Sequence, residues 1–220
     1  MKKILSIVIS IILVFSMSAC DLIDESDSMK DVSDLQEYLL VGNSDNYYVE
    51  VYGGKREFPL LIDGAVGKVK PYLKIKVLAK GGDTTGDYKY HIGVNEKAFD
   101  GTLSREVASG CYSVSIDAKD IADEYALTIE HNNKKEIVTV KTCKASNMIT
   151  FAEARKIAET ELHDEILKLA ENDNKYEMYI KFIEGAVGTK EFFWYVAYID
   201  DGKVIACLID PVSKKVVAKK

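Results

Sequence analysis

The run YYVEVYG at residues 47–53 decides the fold class. Its residues alternate so that Tyr47, Val49 and Val51 face one side of an extended chain and Tyr48, Glu50 and Tyr52 the other. Similar short runs follow: REFPLLI (56–62), YLKIKVLA (72–79), DYKYHIGV (87–94), GTLSREV (101–107), CYSVSID (111–117), YALTIEH (125–131) and KEIVTVK (135–141). Between them stand turn-forming pieces, GGK, AKGGDTTGD, NEKAFDG and NNKK. Asn132-Asn133 suits a two-residue hairpin because Asn tolerates positive φ. Short strands at even spacing imply an immunoglobulin-like β-sandwich over 46–146.

Upstream, Lys2 and Lys3 precede the apolar run Ile4–Phe15, and small residues follow to Ala19. This is the layout of a secretory signal peptide over 1–19, and it falls short of the ~20 apolar residues that cross a bilayer. Ser18-Ala19-Cys20 resembles the lipobox of bacterial lipoproteins, with Met17 where Leu is usual. That resemblance implies a diacylglycerol on Cys20 and an anchor on the outer face of the bacterial cytoplasmic membrane. An uncleaved anchor and ordinary secretion are the rival readings. Loss of Lys2 and Lys3 with the leader takes the net charge from −6 to −8. A chain this acidic, with its basic residues scattered, is a poor match for nucleic acid. Residues 21–34, DLIDESDSMKDVSD, hold six acids, one Lys and no aromatic residue, the composition of a solvated spacer. Residues 20–45 therefore read as lipidated Cys and acidic linker, with SDLQEYLLV (33–41) open between linker and a helical turn or two.

Residues 147–220 change period. Thr150 and Glu153 form a capping-box pattern, and Ala154, Ile157, Ala158, Leu162, Ile166 and Leu169 recur at helical spacing, which predicts one amphipathic helix over 151–171. YEMYIKFI, FFWYVAYI, KVIACLI and KVVA then read as strands, with Asp201-Gly202 a hairpin signal. One helix across a four-stranded antiparallel sheet buries both apolar faces. ITFAEARKIA (149–158), FWYVAYIDDGKV and LIDPVSKKVV resemble the PepSY domain, through Thr150, Glu153, Ala154, Ile157, Ala158, Trp194, Asp210 and Val216. Ser213 and Lys214 depart from it, standing where Thr and Gly are usual. The resemblance implies an extracytoplasmic module that inhibits or restrains peptidases, and it brings no catalytic residues. IDGAVGK (62–68) and IEGAVGT (183–189) read as two hairpin loops with shared turn chemistry, since their flanks do not match.

The chemistry-bearing residues are dispersed. Cys207 sits in a run apolar on both faces and reads as a buried thiol. Cys111 and Cys143 are candidates for a disulfide outside the cytoplasm. His91, His131 and His163 have no metal-ligand spacing. Asp83, Thr85 and Asp87 have the start of a calcium loop, but Tyr88 and Val94 occupy the places of its Gly and Glu. No nucleophile, phosphate-loop or dinucleotide motif is present, so neither an enzyme nor a cofactor is expected. Tyrosines crowd the strand runs, as suits half-buried pleated surfaces. If FFWYVAYI leaves one aromatic face open, Tyr179, Trp194 and Tyr198 are the candidates to bind a protein partner, such as a secreted or envelope protease. The readings that compete are a non-enzymatic protein-binding lipoprotein, a structural or glycan-binding surface protein, and a hydrolase with acids between its domains.

Overall fold

The computed structural model describes residues 28–61, 63–83, 85–118, 121–170, 176–200 and 202–220. The N-terminal part holds β1 (Val32–Asn43), β2 (Tyr47–Glu57), β3 (Val69–Ala79), β4 (Lys89–Val94), β5 (Lys97–Thr102), β6 (Ser104–Glu106), β7 (Cys111–Ile116), β8 (Glu124–His131) and β9 (Lys134–Thr142); all but β1 and β5 fall on predicted runs, while REFPLLI is strand only at Arg56 and Glu57 and loop from Phe58 to Leu61. After them come helices α1 (Phe151–Glu161) and α2 (His163–Ala170), then β10 (Glu177–Glu184), β11 (Phe192–Asp200), β12 (Lys203–Ile209) and β13 (Val216–Lys219). The fold is mainly β, a large, chiefly antiparallel sheet nearly closed into a barrel. Its order is β13-β12-β11-β10-β1-β2-β3-β7-β6, and β9, β8, β4 and β5 continue from the other end of β1.

Strand β1 is the joint of the molecule and corrects the linker reading. Asp34 and its neighbours lie not in a spacer but in a strand, with the helical option for 33–41 excluded as well. The acidic tally misled because Leu35, Leu39 and Leu40 supply a buried apolar set that the acids around them masked. β1 lies antiparallel to β2 along its length, its first half pairs parallel with β10, and Leu40 and Val41 pair with β9. Residues 31–220 accordingly form one compact unit, with the sheet continuous across the expected boundary at 146/147; residues 1–30 group separately, and only 28–30 of them are described. A bulge between Gln36 and Tyr38 lets β1 change partners. Gly54 permits it, since a Cβ there would lie 2.1 Å from the Leu35 carbonyl oxygen.

The barrel interior is filled by Val49, Val51, Ile75, Ile92, Leu127, Val140 and their neighbours. NEKAFDG, read as a separator, narrows to a two-residue turn at Asn95 and Glu96, both at positive φ, and its remainder is β5. Asn132 and Asn133 take positive φ as expected. In the C-terminal part β10–β13 pair antiparallel in sequence order. The capping box at Thr150 and Glu153 forms, and Trp194, fully buried, donates from Nε1 to the Ile149 carbonyl at 3.1 Å. The helix is not single: it breaks at Leu162, a buried residue whose backbone takes a non-helical φ of −113° and ψ of 18°. The last hairpin meets the missing glycine by placing Lys214 itself at φ 62°, while Asp210 Oδ1 accepts from the Val212 and Ser213 amides at 2.8 Å each.

Candidate functional site

Strand β2 connects two very different ends. At its start, the turns after β1 and β8 and the segment after β3 enclose a cleft of about 640 Å³ lined by Asn46, Tyr47, Asp83, His131, Lys134 and Glu136, among others. Its floor is aromatic. Tyr88 is sandwiched between His131, stacked at 3.9 Å, and Tyr112 at 4.1 Å, and Tyr47 meets it edge-on. Burial pushes the Tyr88 hydroxyl up to about 12, helped by Asp83, and this hydroxyl donates to the Asp83 carbonyl at 2.9 Å.

Two ionised acids stand at the cleft wall. Thr85 donates to Asp83 Oδ1 from its hydroxyl (2.7 Å) and amide (2.9 Å), which holds the acid below the usual carboxylate range. Glu136 is lowered as well, by hydrogen bonds from Ser44 and then Asn46, whose Nδ2 lies at 2.8 Å. His131 Nε2 is 2.7 Å from the Thr85 carbonyl, a pure acceptor, so that nitrogen carries a proton and is occupied in holding the loop. With the His131 ring stacked on Tyr88, the cleft presents ionised Asp83 and Glu136 beside Lys134 over an aromatic floor, groups that can meet a polar or charged ligand.

At the other end of β2, roughly 30 Å away by strand rise, lies a buried charge cluster. Asp34, 1% exposed, is 3.2 Å from Arg56 Nε and 2.8 Å from Lys181 Nζ, and accepts from the Tyr72 hydroxyl at 3.1 Å. The guanidinium lies 4.2 Å over the Tyr72 ring. Burial, then the Asp34 carboxylate, pushes the Tyr72 hydroxyl well up, keeping it a donor. The same end carries the 58–68 loop. Buried Glu177 accepts at Oε1 from the amides of Asp63 (2.8 Å) and Gly64 (3.1 Å), and buried Glu57 accepts from Gly67.

Neither end was anticipated from the sequence. Cys20 lies outside the described residues. Cys111 and Cys143 are free thiols. Strands β1, β2 and β3 stand between their positions, far beyond the ~5.5 Å Cα separation of a disulfide. Cys207 is buried and free as expected, and burial raises its thiol to about 11. Of the three aromatic candidates, Trp194 and Tyr198 are fully buried and Tyr179 is half-buried beneath Lys181, 4.6 Å above its ring. Trp194 and Tyr198 are spent on the helix side of the sheet, whereas Tyr179 lies on the opposite face, packed with half-buried Tyr195 against Ala197, Ile199 and Ala206. The two GAVG loops sit at opposite ends of β10, the first held by Glu177 and the second by Glu184, which accepts from Gly188 and Lys190. Among the described residues no group of three metal-ligating side chains exists, and no helix is long and apolar enough to cross a membrane.

No family model, curated protein or solved structure matches the chain.

Proposed function

We propose that the protein is a lipid-anchored, extracytoplasmic, non-catalytic binding module that presents the Asn46–Asp83–Glu136 cleft to a protein partner. One observation carries this: the chain enters the folded unit at Asp31, beside Met178 (amide to Asp31 carbonyl, 2.8 Å), while the cleft lies at the far end of β2. With an anchor at Cys20, upstream of Asp31, the cleft is at the end of β2 away from the point where the chain enters. The cleft's paired acids and lysines over an aromatic floor suit a charged polypeptide surface. In the same proposal residues 147–220 are PepSY-type, supported by the capping box, the buried Trp194 and four sequential antiparallel strands. The resemblance makes a secreted or envelope peptidase the partner to try first.

The test uses the chain from Ser28 as bait for secreted and envelope peptidases, beside a Lys134→Glu/Lys135→Glu variant. Capture of a peptidase with slowed peptide hydrolysis, both lost in the variant, is the expected result. Capture indifferent to the charge reversal, or hydrolysis by the chain itself, overturns it. Retention on cell-wall glycan with the same dependence on the cleft moves the assignment to glycan binding.

A further inference from the structure

The end of the sheet where the chain enters also carries an apolar tip. Phe58, Leu60 and Leu61 are 65%, 40% and 50% exposed, and Pro59 between them is exposed too. Single exposed apolar residues are ordinary, but three large ones within four residues on one hairpin loop form a patch that water disfavours. The tip is built rather than loose. Phe58 donates to the Lys68 carbonyl at 2.9 Å, and the buried carboxylates of Glu57 and Glu177 hold the amides of Gly67, Asp63 and Gly64.

Cations stand at the tip. Lys70 Nζ lies 4.1 Å over the Phe58 ring, and Lys68, whose carbonyl accepts from the Phe58 amide, is exposed, with Asp63 the exposed acid of the loop. An apolar tip with lysines beside it has the chemistry of an anionic lipid surface, with side chains in the acyl boundary and ammonium groups among phosphates. The place where the chain enters selects that occupant over a soluble one. Asp31 bonds Met178, the neighbour of the Glu177 that holds the tip, and residues 20–30 span at most about 40 Å.

We propose that Phe58, Leu60 and Leu61 dip into the anionic membrane surface, with Lys68 and Lys70 on its phosphates, and so fix the protein's orientation on its anchor. This rests on the lipid-anchor reading, and the test separates the two. Residues 31–220 carry their own core, so a chain from Ser28 can be tethered by an N-terminal His tag to nickel-chelating lipid, whatever the state of Cys20. Leu61→Trp adds an indole at the tip, while Trp194, fully buried, serves as the unquenched control.

In vesicles containing brominated phosphatidylglycerol the added indole is expected to be quenched and Trp194 not. Lys68→Gln and Lys70→Gln each lower the inserted-to-free ratio about fivefold. An indole that stays unquenched on the tethered chain, or that is shielded only when a soluble protein is added, overturns the proposal. The mass of Cys20 in the full chain reports the anchor separately, so its failure leaves the quenching result standing.

Discussion

Removing Asp34 and removing its two cations have unequal costs, and the inequality follows from exposure. Asp34→Ala deletes a carboxylate that pairs with Arg56 and Lys181 and accepts from Tyr72. Breaking a buried charge pair from one side costs about 3–5 kcal/mol. The lower end applies to Asp34→Ala, because the stranded Arg56 and Lys181 side chains are 30% and 25% exposed and can turn to water. The double variant Arg56→Met/Lys181→Met strands a carboxylate only 1% exposed, with the Tyr72 hydroxyl still donating to it, and falls at about 5 kcal/mol. Trp194, the sole tryptophan and fully buried, reports urea unfolding by its emission, and unchanged slopes confirm that stability alone has moved. A cost below about 1 kcal/mol for Asp34→Ala, the level of a surface pair, refutes the reasoning. So does a cation double variant milder than the acid variant.

Gly54→Ala drives a methyl group into the Leu35 carbonyl at the bulge and is expected to cost about 1–3 kcal/mol, read by the same unfolding assay. Lys214→Gly relieves a left-handed non-glycine residue at φ 62° and gives up only an exposed pair with Glu153, so thermal unfolding is expected to show a gain of about 0.5–1 kcal/mol. Glu106 is depressed from 4.5 to about 2 by hydrogen bonds from Lys74 (2.6 Å) and then Ser113 (2.7 Å). A depressed acid contributes stability that is present above its ordinary value and lost as pH falls from about 4.5 toward about 2. Its share is on the order of 1 kcal/mol once solvent screening is allowed for, and Lys74→Met flattens the acid limb across that window.

Period-2 alternation from Tyr47 to Lys141 and the Thr150–Glu153 box made most of the strands and the helix start legible, because both signals are local. What sequence hid was pairing at long range. β1 meets β10 across the whole chain, and nothing in VSDLQEYLLV marks Asp34 as the partner of Lys181 rather than of solvent. The same limit explains the aromatic candidates. Alternation places Trp194 and Tyr198 on one face of β11, but which face the helix covers is settled only when Ile149 and Ala158 pack there. For the cleft, a weak signal did exist: His131 beside the Asn132-Asn133 turn and Asp83 in a Gly-rich segment are polar groups at strand ends, where loops gather. The distances between those loops were not legible.

The proposed polarity, with an anchor at one end and a binding cleft at the other, is tested most directly by a photo-crosslinking amino acid placed in the full chain in its native envelope. One variant carries it at Glu136 in the cleft and another at Leu61 on the tip. Anchoring at Cys20 with the cleft outward predicts a discrete protein adduct from position 136 and lipid adducts alone from position 61. A protein adduct from position 61 with none from position 136 would contradict it.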